Sequence, residues 1–133
     1  VITGSYEGEV LAGGVGKDVL KGGKGSDGFL FNRLDAFGEE QVDIIKDFDP
    51  EERDSILVVK DVFGIVEKIN VVSVTGMKNA TKEMKSTNNF VYDDNKGLLY
   101  FNENGKRSGW GDGGLFAKLQ GAPELGAEDF KIV

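Results

Sequence analysis

The chain has 133 residues, 29% of them charged, with a formal net charge of −7, no cysteine and no histidine. Those absences exclude a disulfide framework, thiol chemistry, Ser-His and Cys-His nucleophilic pairs and the HExxH zinc site. The acidic balance and the lack of a basic stripe argue against nucleic acid as a partner, and no apolar run approaches the ~18 residues of an inserted membrane span.

The charge is unevenly spread. Residues 1–54 hold 6 basic and 13 acidic side chains, whereas residues 55–133 hold 10 of each. All of the net charge therefore falls in the first part, where self-repulsion opposes compaction until a cation neutralises it. That part also carries most of the pattern. Gly13-Gly14-Val15-Gly16-Lys17-Asp18-Val19-Leu20-Lys21 runs directly into Gly22-Gly23-Lys24-Gly25-Ser26-Asp27-Gly28-Phe29-Leu30. Both match the nonapeptide GGxGxDxUx, with U a large apolar residue, which is the repeat of calcium-binding parallel β-helices.

Each position in the repeat has a chemical reason. Gly14, Gly16, Gly23 and Gly25 suit a loop that must adopt φ > 0, and Gly13 and Gly22 open each copy. Asp18 and Asp27 add a carboxylate to a shell of loop carbonyls. An all-oxygen, partly anionic cage favours Ca²⁺ over Mg²⁺ or a transition metal. Two residues on, Leu20 and Phe29 point inward on short strands, because strand side chains alternate. Nine residues upstream, Gly4-Ser5-Tyr6-Glu7-Gly8-Glu9-Val10-Leu11-Ala12 is a degraded third copy, with Glu9 at the acidic position and Leu11 at the apolar one. Two readings of that copy stay open: it binds metal, or it completes the coil without doing so.

Further along, residues 32–41 read as a loop, and residues 42–56 carry a D-x-I-x-D-F…D-x-I pattern. Ile45 and Ile56 suit strands that continue the coil, with Asp47 and Asp54 as the acidic positions beside them. Asp49-Pro50 predicts a turn; it also resembles the bond cut in calcium-triggered self-cleaving modules. Ile56-Leu57-Val58-Val59 predicts a buried strand, and Val62-Phe63-Gly64 a helical turn ending at its glycine. Residues 69–74 read as a strand and residues 77–87 as a polar loop or irregular helix. A strand at residues 89–92 breaks at Asp93-Asp94-Asn95-Lys96-Gly97, and Leu98-Leu99-Tyr100-Phe101 follows it. Asn104-Gly105 predicts a hairpin turn. The nearby Asn102-x-Asn104-Gly105 echoes an EF-hand loop, but lacks its first and last ligands. Trp110 reads as a cap on the sheet or a sugar-stacking platform. Leu115-Phe116-Ala117-Lys118-Leu119 predicts a further strand, and Ala122-Pro123-Glu124-Leu125 a turn into the last residues.

With these motifs in this order, nearly the whole chain resembles the C-terminal region of RTX proteins, above all the serralysin-like C-terminal domain of proteins exported by type I secretion. The resemblance implies an all-β fold, with a calcium-binding parallel β-roll at 1–60 continuing into a C-terminal antiparallel β cap at 61–133. It implies that loops two repeats apart stack and share an ion. Glu9 would then face Asp27, and Asp18 would take its partner from the non-repeat chain. The expected metal ligands are the loops at Gly13, Gly14, Gly16, Asp18, Gly22, Gly23, Gly25 and Asp27, together with Glu9, Asp47 and Asp54, holding two to three Ca²⁺ ions. Asp129-Phe130-Lys131-Ile132-Val133 resembles the terminal export signal read by the type I machinery, with Lys131 as a departure.

The given sequence begins at Val1 rather than Met. The expectation is the C-terminal part of a longer protein, joined to a parent N-terminal domain, secreted without an N-terminal signal and not itself an enzyme. Its role would be calcium-induced folding that supports export and extracellular stability. An alternative is a module that binds a polysaccharide or cell surface, through Lys60, Lys68, Lys78, Lys82 and Lys85. An enzyme working through the Asp93/Asp94 carboxylates is the third reading.

Overall fold

The computed structural model describes residues 2–14, 16–32, 42–65, 68–76, 89–102 and 114–133. Its first six strands are β1 (Ile2–Thr3), β2 (Val10–Ala12), β3 (Val19–Lys21), β4 (Gly28–Phe31), β5 (Asp43–Ile45) and β6 (Ser55–Val58). They alternate between two sheets: β1, β3 and β5 lie side by side in one, and β2, β4 and β6 in the other. Every pairing among them is parallel, with Ile2 opposite Leu20 and Leu11 opposite Phe29. Parallel neighbours need a crossover, and here each crossover passes through a strand of the facing sheet.

The spacing of acid and apolar residue accounts for the core. Leu11, Leu20, Phe29, Ile45 and Ile56 each follow an acidic residue by two positions, and all five are buried between the sheets. Burying one such side chain is worth ~1.5–3 kcal/mol. The intervening residues face outward: Val10 is 65% exposed, and Leu30 and Leu57 are half-buried.

The chain then forms α1 (Lys60–Phe63), the single α-helix among the described residues. It ends at Gly64, whose φ of 67° only glycine adopts readily and whose N–H donates to the Lys60 carbonyl at 2.8 Å. Beyond it lie β7 (Val71–Val74), β8 (Phe90–Asp93), β9 (Leu98–Phe101), β10 (Gly114–Leu119) and β11 (Phe130–Ile132). One sheet has seven strands, in the order β1-β3-β5-β10-β9-β8-β7, and the other has four, in the order β11-β6-β4-β2. The β8–β9 and β9–β10 pairs are antiparallel, as expected of the cap. The β7–β8 and β10–β5 pairs are parallel, which corrects a purely antiparallel reading. Their hydrogen bonds join segments far apart in sequence, so no local turn signal announces them.

The later strands are continuous with the earlier ones. β10 covers the edge of β5 and β11 covers the edge of β6, so both sheets are capped on that side. Phe63 packs against Phe90, Phe101 and Phe116, Phe31 meets Phe116 edge-on at 5.0 Å, and Phe90 stacks on Phe130 at 4.7 Å. These rings tie both sheets into one core. Among the described residues no helix is long and apolar enough to cross a membrane. Residues 33–41 of the loop expected at 32–41, the polar stretch at 77–87, the Asn104-Gly105 turn and Trp110 lie outside the described residues.

Candidate cation-binding loops

The acidic residue of each repeat sits immediately before a strand, so the parallel register stacks these residues on one another. Glu9, Asp27 and Asp54 form one column, and Asp18 and Asp43 the other. Within a column each acid donates its backbone N–H to the carboxylate of the next rung. Glu9 donates to Asp27 Oδ1, Asp27 to Asp54 Oδ1 and Asp18 to Asp43 Oδ1, each at 2.9 Å. The acid's own carbonyl accepts in return: Gly28 N–H donates to Glu9 at 2.7 Å, and Ser55 and Ile44 N–H donate to Asp27 and Asp18 at 2.8 Å.

The ladder engages Oδ1 of Asp27, Asp54 and Asp43, while the Ser5 N–H engages Oε1 of Glu9. Four carboxylate oxygens among the described residues are buried without a hydrogen-bond partner: Glu9 Oε2, Asp18 Oδ2 and Asp27 Oδ2 in the columns, and Asp93 Oδ2 at the turn after β8. Leaving a charged oxygen desolvated and unpaired is costly, and in the columns, where the acids stack, a cation would relieve that cost. Glu9 and Asp27 do face each other, as the stacking of alternate loops requires. Asp18 finds its partner in Asp43: the Oδ2 atoms of both lie 2.9 Å from where a Cβ on Gly13 would stand. Among the described residues the acids meet in pairs, and no group of three or more could hold a metal by itself. A cation held by either pair would draw its remaining ligands from loop carbonyls.

The glycines give that space its shape. A Cβ on Gly22 would collide with the Asp27 carboxylate. Gly23 and Gly25 have φ of 92° and 103°, and Gly14 and Gly16 share that conformation at 82° and 91°. Gly23 lies against the Ser5 carbonyl, Gly4 against the Gly22 carbonyl and Gly8 against the Ser26 carbonyl, so the two loops touch glycine to backbone.

Asp47 and Asp54 occupy different roles from the remaining acids. The sequence pattern puts Asp47 at the acidic position beside Ile45, but the register gives that position to Asp43. Asp47 lies beyond β5, where its two oxygens accept the Gly22 and Gly23 N–H groups at 2.9 and 2.8 Å. It thereby clamps the entrance of the second repeat loop. Asp54 does continue the first column, and both of its oxygens are engaged, by the Asp27 and Asp49 N–H groups. Glu52 adds an acceptor for Gly25 N–H at 2.9 Å. Sequence reasoning misses Asp43 as a site residue, although its signal is present: Asp43-Ile44-Ile45 has the same acid-x-apolar spacing as Asp18-Val19-Leu20.

The electrostatics follow from this crowding. Burial raises the Asp43 carboxyl to about 6 against the pull of the Asp18 N–H, and the Asp18 charge adds to the rise. Burial likewise raises Asp54 to about 6, with the Asp27 and Asp47 charges adding to it. Asp27 is pushed up by burial and by the Glu9 charge, while hydrogen bonds from Ser5 hold Glu9 down. The two shifts run in opposite directions, so Glu9 holds its charge more readily than Asp27.

The Asp93/Asp94 pair serves a turn. Asp93 Oδ1 accepts the Gly76 and Asn95 N–H groups at 3.0 Å, and Asp94 Oδ1 accepts the Thr75 hydroxyl at 2.7 Å. Asp49 caps the 3₁₀ turn Pro50–Glu52 through the Glu51 N–H, which accounts for the Asp49-Pro50 motif as a turn. Lys78, Lys82 and Lys85 lie outside the described residues. The chain matches no protein-family model, and no curated protein is significantly similar to it.

Proposed function

We propose that residues 1–60 form a calcium-binding β-roll, and that the chain is a calcium-induced folding module of an RTX-type, type I-secreted protein. The observation that carries this reading is the set of three buried, unpartnered carboxylate oxygens on Glu9, Asp18 and Asp27. They sit beside glycine loops in which Gly13, Gly22 and Gly23 leave no room for a side chain. Oxygen-only ligation of irregular geometry suits Ca²⁺, whereas Mg²⁺ demands near-octahedral geometry and holds its waters. Two ions match the two pairs, Glu9/Asp27 and Asp18/Asp43. Asp47 and Asp54, whose carboxylate oxygens all accept backbone N–H groups, hold the loops in place.

The same arrangement supports a folding role. The acid columns repel one another until a cation enters, and the loops have no preformed shape without it, so binding energy becomes folding energy. Extracellular calcium modules typically bind at ~10⁻⁴–10⁻³ M, far above resting cytosolic calcium. The module would stay unfolded inside the cell and collapse outside it. The test is a calcium titration followed by far-UV circular dichroism and calorimetry, with magnesium as control. A cooperative gain of β-structure with calcium alone supports the reading. A chain already folded in chelator and indifferent to calcium refutes it.

A further inference from the structure

The seven-stranded sheet buries one carboxylate that the glycine repeats do not explain. Phe90 and Tyr92 of β8 belong to the core between the sheets, so Val91 and Asp93 point to the opposite face. Asp93 is nonetheless 0% exposed. It lies opposite Val74 of β7 and Leu98 of β9. The turn beside it is fixed by backbone contacts: Gly97 N–H donates to the Asp93 carbonyl at 2.8 Å, and Leu119 N–H donates to the Gly97 carbonyl at 2.7 Å. A Cβ on Gly97 would strike the Leu119 carbonyl. Asp93 Oδ1 accepts the Gly76 and Asn95 N–H groups, each at 3.0 Å. Oδ2 shares a carbon with Oδ1 and so lies beside the same two segments, yet it is buried and accepts nothing. Its neighbour Asp94 is exposed and takes the Thr75 hydroxyl.

We propose that Asp93 anchors a further calcium site, set in the cap outside the glycine repeats, with its Oδ2 as a ligand. The site uses none of the column acids, so it stands apart from the roll. An ionised carboxylate has about four lone-pair positions, and the two N–H groups on Oδ1 fill half of them. The rest face a desolvated space, at a cost that a cation removes. A hard oxygen donor beside backbone favours Ca²⁺ over a transition metal, and loop carbonyls and water complete its shell of six to eight oxygens. The Asp94 charge next door favours a cation over a neutral ligand. Among the described residues β7 pairs with β8 alone. An ion at Asp93 would pin this edge strand to the β8–β9 turn, so that the cap answers to calcium by a site of its own.

The test counts ions. The full chain and its Asp93→Asn and Asp94→Asn variants are dialysed to equilibrium against radioactive calcium at about 10 mM, well above the ~10⁻⁴–10⁻³ M of extracellular calcium modules. Circular dichroism confirms the fold of each. Asp93→Asn should hold one ion fewer than the parent, and Asp94→Asn the same number. Equal counts for the parent and a folded Asp93→Asn overturn the proposal and leave a proton as the relief of Asp93 burial. A count that falls with Asp94→Asn instead places the ion on the exposed acid and overturns it too. If Asp93→Asn does not fold, a paramagnetic lanthanide replaces calcium in the parent. Pseudocontact shifts of the Gly76, Asn95 and Gly97 amides that locate an ion beside Asp93 support the site. Shifts that place every ion at the repeat loops overturn it. Asp27→Asn is counted alongside: if it loses no ion, the roll reading fails while the Asp93 site stands.

Discussion

Replacing Asp27 by asparagine should have opposite effects on stability with and without calcium. The substituted side chain keeps its shape and an oxygen that can accept the Glu9 N–H, now at 2.9 Å. It removes a carboxylate that is 1% exposed, faces the Glu9 charge and has an oxygen without a partner. In place of that oxygen it offers an amide N–H, which can donate toward the Glu9 carboxylate. A buried acceptor left unsatisfied costs ~1–3 kcal/mol. Asp27 already tends toward its neutral form, which recovers part of that cost before any substitution. The chelated variant should therefore be more stable than the parent by ~1–2 kcal/mol, the lower part of that range. In calcium the sign reverses. A site filled at 100 times its dissociation constant contributes ~2.7 kcal/mol, and Asp27→Asn forfeits most of it. Urea unfolding in saturating calcium gives one number from midpoint and slope, and folding of the chelated chain induced by the osmolyte trimethylamine N-oxide gives the other, both followed by circular dichroism. Asp54→Asn is the control: both Asp54 oxygens face backbone donors, so its effect should be the same in the two conditions. A loss of equal size for Asp27→Asn with and without calcium would refute the reasoning and reduce Asp27 to a hydrogen-bonding residue.

Other perturbations separate the loop from the core. Gly22→Ala places a methyl group against the Asp27 carboxylate, so it should cost ~1–3 kcal/mol and raise the calcium midpoint; an unchanged midpoint in a dichroism titration would contradict that geometry. Phe29→Ala empties the centre of the coil and should cost ~3–5 kcal/mol, by urea unfolding in calcium and by osmolyte-induced folding in chelator alike. Burial lifts Asp43 and Asp54 from 3.8 to about 6, so the folded state holds protons in that window that the unfolded state has released. The chelated protein should lose stability as pH rises from 3.8 to about 6, by at most ~1.4 kcal/mol per pH unit for each group. In saturating calcium the Asp43 part of this slope should vanish, because a bound Asp43 is ionised in the folded state as it is in the unfolded one, while the Asp54 part remains. An osmolyte folding midpoint in chelator that falls through this window would show that the acid columns carry no such penalty.

The loops are legible in the sequence because their causes are local. A glycine at φ of 92° and an acid two residues before a buried Phe29 both depend on neighbours within one nonapeptide, and repetition in register makes them visible. The pairing of Glu9 with Asp27 is legible for the same reason, since uninterrupted repeats set it. Asp43 is harder. Its partner Asp18 lies 25 residues away across a segment of irregular length, so no count along the chain leads from one to the other. Asp47 stands directly before Phe48 and competes for the same position in the sequence pattern. Only the β3–β5 register separates the ladder position from the loop clamp.

The strands of the later part show the same boundary. The β8–β9 hairpin can be read from its turn at residues 93–97, and α1 from its terminal Gly64, since both close within a few residues. The parallel pairing of β7 with β8 and the docking of β11 on β6 cannot, because parallel neighbours leave no turn between them and the contacts span long stretches of chain. By itself the amino-acid sequence determined which residues form the glycine loops, which apolar side chains enter the core and where the negative charge accumulates. Tertiary structure decided which carboxylates meet, which of their oxygens stay unpaired and which strand closes the sheet. Those outcomes depend on register between segments distant in sequence, which is settled only when both sheets bury their faces against each other.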